Sequence, residues 1–416
     1  MRVPKRSFSL IAPFGIGLFL LLLLLSSCGT DQVQTLEQQK LFSIPIGKME
    51  DQLDVYYDGI SAFDDKIRVV MQDGIVFIAN GRGKKVMEFS SYGDILSLYY
   101  NSEYNPQPVL LSDARSDGEV SSRVALSFPF LEVGEIAVTP SGLLMVEDSI
   151  PQNRAEFDEE RGAYLNRVVR RFDLSGAYID YLGQEGVGGT PFPYIEAMHV
   201  NQAEEPIIIC RAEESWIVFW FGRGGNLKYE VTIPMDDLPL PDEENLIPAL
   251  ERVVPDDEEE LLYIKIDTYK EVRESLSGAG SRIDYFASYF FWLNPKNGAY
   301  EGYLEVPHVV RKQEIPGIGA GQDEEVLYEF LGVAGGGFFF LLGPFGPDQY
   351  QILVVDETGA VLDRPRISLR DREIFYRDFY LSRDGILTAL LCREFEADLV
   401  WWRTDQLLED QAGETR

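Results

Sequence analysis

The sequence predicts an all-β fold, and three observations carry that prediction. From about residue 41 onward, short apolar or alternating runs of four to eight residues are bounded by Gly, Pro, Asn and Asp. No stretch repeats at the 3.6-residue period of an amphipathic helix. One unit also recurs: an alternating strand, a tight turn, a strongly apolar strand, a gap, a further alternating strand, and a turn ending in Gly.

Composition permits such a fold and narrows its partners. The 416 residues are 45% hydrophobic and 12% aromatic, ample for a core, so global disorder is excluded. Lys+Arg number 37 against 69 Asp+Glu, a net charge of −32. That balance argues against nucleic acid, whose phosphates need Lys and Arg, and against electrostatic adhesion to anionic lipid. Partners chosen by charge would be neutral or basic.

The first element is an address. Arg2, Lys5 and Arg6 precede an uncharged stretch from Ser7 to Ser27 with an apolar run from Leu18 to Leu25, the pattern of a secretory signal peptide over residues 1–27. Leu25-Ser26-Ser27-Cys28 resembles the bacterial lipobox, which implies cleavage before Cys28 and a diacylglyceryl thioether on its sulfur. The alternative is an uncleaved transmembrane anchor, for which the uncharged stretch is long enough. Cleavage would take the net charge from −32 to −35, since only Arg2, Lys5 and Arg6 are lost. Gly29 follows Cys28 where, as the resemblance implies, an Asp would mark inner-membrane retention, so the outer membrane is favoured. Residues 28–40 read as a lipidated polar tether.

Six copies of the unit follow. The second is clearest: Glu135 to Thr139, Leu143 to Val146, Arg167 to Phe172 and Ala177 to Leu182, with the turn Asp173-Leu174-Ser175-Gly176 before the last strand. The first runs from Ile67 to Tyr99, the third from Ile195 to Ile233, the fourth from Leu250 to Val306 and the fifth from Glu329 to Leu369. The sixth starts at Arg377 and lacks a fourth strand, while Leu41 to Ile46 at the other end is an unassigned strand. A ring of blades removes its open edges by letting one terminus complete the last blade. Residues 41–408 are therefore predicted to form a six-bladed β-propeller of four-stranded antiparallel blades, closed by the N-terminal strand, with a polar tail at 409–416. The alternative is one or two β-sandwiches, because strand spacing alone does not close a ring.

Val168-Val169-Arg170-Arg171-Phe172-Asp173-Leu174-Ser175-Gly176, continuing through Gly183-Gln184-Glu185-Gly186 to Pro191-Phe192, resembles the NHL-type repeat. Gly74 to Asn80 and Val86 to Phe89 resemble its preceding part, and copies three to six depart from it. The whole chain also resembles uncharacterised spirochaetal lipoproteins. Neither resemblance implies an activity.

Motifs for chemistry are scarce. There are only two histidines. His199 sits in an innermost strand and could face the channel, though a structural role is the commoner one, and His308 beside Pro307 reads as solvated. Cys210 and Cys392 fall in copies three and six, which face each other across a six-membered ring, so no disulfide is expected. Gly81 to Lys85 lacks the spacing of a phosphate-binding loop, and Gly183 to Gly189 enters a strand instead of a helix. The acidic runs Asp256 to Glu260 and Glu156 to Glu160 lack the alternating ligands and turn glycine of a calcium loop. No catalytic residue, metal site or cofactor is nominated.

The connections are unequal. Asn101 to Glu132, Ser149 to Asn166, Asp236 to Pro248, Asp267 to Asp284 and His308 to Tyr328 are long, and in a propeller all five emerge on one face. They carry 22 acidic against 9 basic residues. Long loops on a rigid scaffold are where binding surfaces usually lie, so Tyr104, Phe130, Tyr164 and Tyr269 are candidate partner contacts; alternatively they fold the loops back onto the rim. Two functions remain open. One is a lipid-anchored, non-catalytic scaffold of the cell envelope, binding a protein, peptide or envelope polymer through that face. The other is a carboxylate- or divalent-metal-dependent hydrolase or lyase at the channel.

Overall fold

The structure, a computed structural model, describes residues 34–56, 65–113, 123–241, 243, 245–273, 281–313 and 322–408. It is a six-bladed β-propeller. From the channel outward, blade 1 comprises Ile67–Gln72, Ile75–Asn80, Lys85–Ser90 and Ile95–Tyr100, and blade 2 comprises Ile136–Val138, Leu144–Ser149, Arg167–Phe172 and Tyr178–Gly183. Blade 3 is Tyr194–Val200, Pro206–Arg211, Ser215–Phe221 and Leu227–Pro234, and blade 4 is Leu246–Pro255, Leu262–Arg273, Ser281–Asn294 and Ala299–Glu305. Blade 5 is Glu329–Ala334, Phe338–Gly346, Gln349–Val355 and Val361–Asp363.

Blade 6 takes three strands from the C-terminal end, Tyr376–Leu381, Leu387–Cys392 and Glu396–Trp402, and its fourth from the N-terminal end, Gln39–Pro45. The closing strand runs antiparallel to the third, from Gln39 opposite Trp401 to Pro45 opposite Glu396. The ring also reaches further back than the expected boundary at residue 40. Leu36 is buried among residues of blades 5 and 6, and its amide donates to the Arg366 carbonyl at 2.8 Å. Leu36 is an apolar side chain within the polar stretch 28–40, and its burial draws that end of the tether onto the core. The signal peptide, Cys28 and the tail at 409–416 lie outside the described residues. No helix among the described residues is long and apolar enough to cross a membrane.

The repeat is physical as well as numerical. The turn before the outer strand is built alike in blades 2 and 5. Asp173 Oδ1 accepts from the amides of Ser175 and Ala177, and Asp356 Oδ1 from those of Thr358 and Ala360. Blade 1 turns at Asp73 and Gly74 with φ of 51° and 77°, a two-residue hairpin whose twist matches its strands. Six apolar clusters fill the six seams between neighbouring blades. Cys210 and Cys392 are free and buried in two of these, the seams of blades 2–3 and 6–1, on strands of the opposite blades 3 and 6.

All five stretches expected as long loops contain strand residues, among them the paired strands Glu156–Asp158 with Ala163–Leu165 and Val310–Gln313 with Gln322–Glu325. Val124–Ser127 adds in parallel to the outer strand of blade 1, and Ser112–Asp113 pairs with it. In blade 4 the second and third strands run 12 and 14 residues against 6 and 7 in blade 3, so much of Asp267 to Asp284 is a ladder. Those strands are about 20 Å longer than their counterparts in blade 3, at about 3.3 Å per residue.

Candidate functional site

Each inner strand starts at the face of the long connections and ends at the face of the short turns, so its side chains line the central channel in layers. The channel holds a cavity of about 360 Å³. Its layer toward the long-connection face is charged. Lys66 precedes the inner strand of blade 1, and its Nζ lies 2.9 Å from Glu147 and 3.2 Å from Glu135, donating also to the Ile195 carbonyl at 2.5 Å. One ammonium thus ties blades 1, 2 and 3. Arg68 does the same for blades 1, 2 and 6. Its Nε is 2.9 Å from both oxygens of Glu135, while Nη1 donates to the Tyr376 hydroxyl at 2.9 Å. That hydroxyl donates to the Ile67 carbonyl at 2.6 Å, and the Val69 amide donates to Asp378 at 2.8 Å.

The four carboxyl groups of this layer are driven apart in acidity. Burial works against the charged form of Glu135, but Lys66 and Arg68 outweigh it and hold the carboxyl below its usual range. Glu147 is pushed up, because burial and the neighbouring Glu135 charge exceed what Lys66 and Arg167 return. Asp378 is pushed up to about 7 by burial, against the pull of Arg68 and the Val69 amide. Glu251 is also raised by burial, which Lys265 and Arg252 only partly offset.

Three inner strands carry a β-bulge at a similar height. Pairing skips one residue between Ile195 and Ala197, between Leu250 and Arg252, and between Phe330 and Gly332. The extra residues are Glu196, Glu251 and Leu331, and all three line the cavity. Behind Glu251, Lys265 is fully buried, its Nζ 2.5 Å from Asp267 and 3.7 Å from Glu251. His199 lines the cavity from blade 3, showing part of its ring to the void and otherwise enclosed by protein. Burial, with Arg252 nearby, lowers it to about 4, so it is neutral at pH 7. Its Nε2 has no hydrogen-bond partner.

At the short-turn face, Arg383 of blade 6 spans the channel. It donates to the Val200 carbonyl of blade 3 at 2.7 Å and lies 3.0 Å from Asp257, which follows the inner strand of blade 4. Among the described residues, no group of three or more His, Cys, Asp or Glu is placed to hold a metal ion.

The residues expected to meet a partner are scattered around the long-connection face and do not form one site. Tyr104 is exposed, with Lys84 Nζ 3.5 Å above its ring. Tyr164 is 64% exposed and stacks edge-on with Phe157, 53% exposed, on the hairpin Glu156–Asp158 and Ala163–Leu165. Tyr269 is half-buried on the tall hairpin, edge-on to Tyr285. Phe130 is a correction: it is 0% exposed, packed with Phe128 and Phe172 in the seam of blades 1 and 2, so it anchors its loop instead of meeting a partner. His308 is half-solvated, 2.8 Å from Glu305. Gly183 belongs to a tight turn; a Cβ there would lie 2.4 Å from the carbonyl oxygens of Gly189 and Thr190. Of the channel residues, sequence reasoning reached only His199. The missed signal is a charge inside an apolar innermost strand, as in Ile67-Arg68-Val69.

No family model matches the chain. No curated protein matches it either. Solved structures do. A Drosophila plexin A chain in complex with semaphorin 1b is 7% identical with a TM-score of 0.36, the match covering 78% of this chain and 55% of that one. This chain thus spans little more than half of the plexin chain. The β-propeller domain of the Trilobed protease from Pyrococcus furiosus is 11% identical with a TM-score of 0.32, over 82% and 83%. Cobalt-substituted Synechocystis ACO is 10% identical with a TM-score of 0.38, over 90% and 75%. Likeness this distant says nothing about what the chain binds.

Proposed function

We propose that this chain is a lipid-anchored β-propeller of the cell envelope, working as a non-catalytic binding or assembly scaffold through its long-connection face. The observation that carries the reading is the placement of exposed apolar side chains. Most of those among the described residues sit at that face, including Phe157 and Tyr164 on one hairpin and Val272 and Ile283 on the tall hairpin of blade 4. Exposed aromatic anchors on a rigid support lose little freedom when covered by a partner. The envelope address rests on the signal-peptide pattern and on Cys28, whose lipid would supply the membrane contact. The partner class is a protein, peptide or envelope polymer and not nucleic acid, given the net charge of −32. The outer membrane is the favoured site.

Cross-linking in intact envelopes tests the scaffold. A discrete cross-linked species should form with the wild type and be lost in the Phe157→Ala, Tyr164→Ala double variant; an unchanged species in that variant would sink the reading. Fatty-acid labelling that marks the wild type and not Cys28→Ser tests the anchor.

The rival enzyme reading has one observation in its favour. Glu135 is held ionised while Asp378 is raised to about 7, with Arg68 between them, and carboxyls pushed apart in this way are what acid–base catalysis uses.

A further inference from the structure

Three carboxylates that line the channel cavity lack a close cationic partner. Glu196 is 3.6 Å from Arg211. Glu251 lies 3.7 Å from Lys265 and 3.8 Å from Arg252, with one long hydrogen bond of 3.4 Å from the Phe330 amide. Asp378 keeps the Val69 amide on one oxygen, while the other is 3.7 Å from Arg68. The nearby cations are engaged elsewhere: Arg68 by Glu135 at 2.8 Å, Lys265 by Asp267 at 2.5 Å, and Arg252 by Glu329 at 3.0 Å. His199 adds a buried Nε2 with no hydrogen-bond partner. Buried polar atoms are normally satisfied, so one left open beside a cavity points to a missing ligand. The lining holds six carboxylates (Glu135, Glu196, Glu251, Asp256, Asp257, Asp378) against the four guanidinium groups of Arg68, Arg252, Arg377 and Arg383.

We propose that the channel is a binding well for an organic cation, a primary ammonium or guanidinium group, received by Glu196, Glu251 and Asp378 with His199 Nε2 as a fourth acceptor. The well is short of donors, and an ammonium brings three and a guanidinium five. The acceptors come from blades 3, 4 and 6, and among the described residues they form no group tight enough for a metal ion. A cavity of about 360 Å³ suits a small organic group. The source of the cation is either a free amine or a Lys or Arg side chain of a polypeptide. The well goes beyond the scaffold reading, because it needs no partner on Phe157 or Tyr164.

Binding is coupled to protons. Asp378 faces Arg68, Glu135, Arg252, Tyr376 and Cys392; Glu251 faces Lys265, Arg252, Asp267 and Glu329. Tyr376 and Cys392 stay protonated and His199 stays neutral near pH 7, while Glu135 stays ionised. The titrating acceptors are Asp378 and Glu251, both raised, so a cation binds more tightly as pH rises and displaces protons.

The test is calorimetric titration of the full chain with cadaverine, with the blocked peptides Gly-Lys-Gly and Gly-Arg-Gly, and with glucose and citrate as neutral and anionic controls. Saturable one-to-one binding of at least one cation is expected, about tenfold weaker near pH 5.5 than near pH 8, with neither control bound. Cadaverine binding without the peptides identifies a free amine; peptide binding without cadaverine identifies a polypeptide side chain. Glu251→Gln and Asp378→Asn should each weaken binding about tenfold. Should either fail to fold, the half-buried Glu196→Gln and the wild-type pH profile give the same reading. No saturable binding of any cation, binding unmoved by the substitutions and by pH, or preference for glucose or citrate would overturn the proposal.

Discussion

Arg383 and Asp257 meet at the channel floor, Nε to carboxylate at 3.0 Å, although they belong to blades 6 and 4, with blade 5 between them. The same guanidinium donates to the Val200 carbonyl, so one side chain of blade 6 holds blades 3 and 4 together at the short-turn face. Lys66 and Arg68 do the equivalent toward the long-connection face. The blades are packed at their seams by apolar contact and joined at their inner edges by these spanning cations.

Arg383→Ala removes the floor tie. Both partners are about a third exposed, so the pair belongs to the weaker class, and a loss of about 1 kcal/mol is expected. Denaturant unfolding of Arg383→Ala, Asp257→Asn and the double variant should show coupling of roughly 0.5 kcal/mol or more. Strict additivity would mean that the two side chains do not hold each other.

Asp378 gives the fold an acid-side gain. Its folded pKa of about 7 lies above the ordinary 3.8, so folding favours the protonated form. Its contribution is complete below about pH 4 and is lost as pH rises through 7. Asp378→Asn keeps an acceptor for the Val69 amide and carries no charge to bury. It should therefore be more stable than the wild type near pH 8, by on the order of 1–2 kcal/mol, and nearly equal to it near pH 4. Thermal unfolding at the two pH values checks this; greater stability of the wild type at the higher pH would contradict it. A stable Asp378→Asn protein also means that its loss of cation binding is not unfolding.

Phe130 and Tyr164 separate the two roles that aromatic residues play in the long loops. Phe130→Ala empties a fully buried site in the seam of blades 1 and 2 and should cost about 3–5 kcal/mol. Tyr164→Ala leaves the core untouched and should change stability by less than about 0.5 kcal/mol. Equal effects on the unfolding midpoint would refute this division.

The blades were legible because each strand is an alternating or apolar run and each turn before an outer strand ends in Gly, as at Asp173 to Gly176 and Asp356 to Gly359. The tall hairpin of blade 4 was not, because Lys270, Glu271 and Arg282 rise above the ring, where hydrophobic alternation fades. The charged layer was illegible for a different reason. Arg68 and Asp378 belong to blades 1 and 6 and come together only when the ring closes, so no local motif connects them. Glu196 and Glu251 were hidden further, since a bulge is visible only once the pairing partner is known.

Closure by Gln39–Pro45 is the feature on which the ring most depends. The strand buries Ile44 completely, sets Phe42 against Phe89 at 5.4 Å, and places Ser43 and Lys40 on Asp398 at 2.7 and 2.6 Å. Phe42 also packs so closely on the turn of blade 1 that a Cβ at Gly93 would lie 2.8 Å from it, so the strand clamps two blades and not one. Deleting residues 35–46 removes Leu36 and Ile44 from two seams, each contributing about 1.5–3 kcal/mol by burial. It also leaves Glu396–Trp402 as an open edge, with Trp401 Nε1 deprived of Gln39. An exposed strand of this composition pairs with other copies. The truncated protein should aggregate or unfold without cooperativity, whereas Ile44→Ala in the full chain should lower stability by about 2–4 kcal/mol and remain monodisperse. Light scattering and denaturant unfolding distinguish these outcomes, and a truncated chain that stays soluble with the wild-type midpoint would show that the ring closes without this strand.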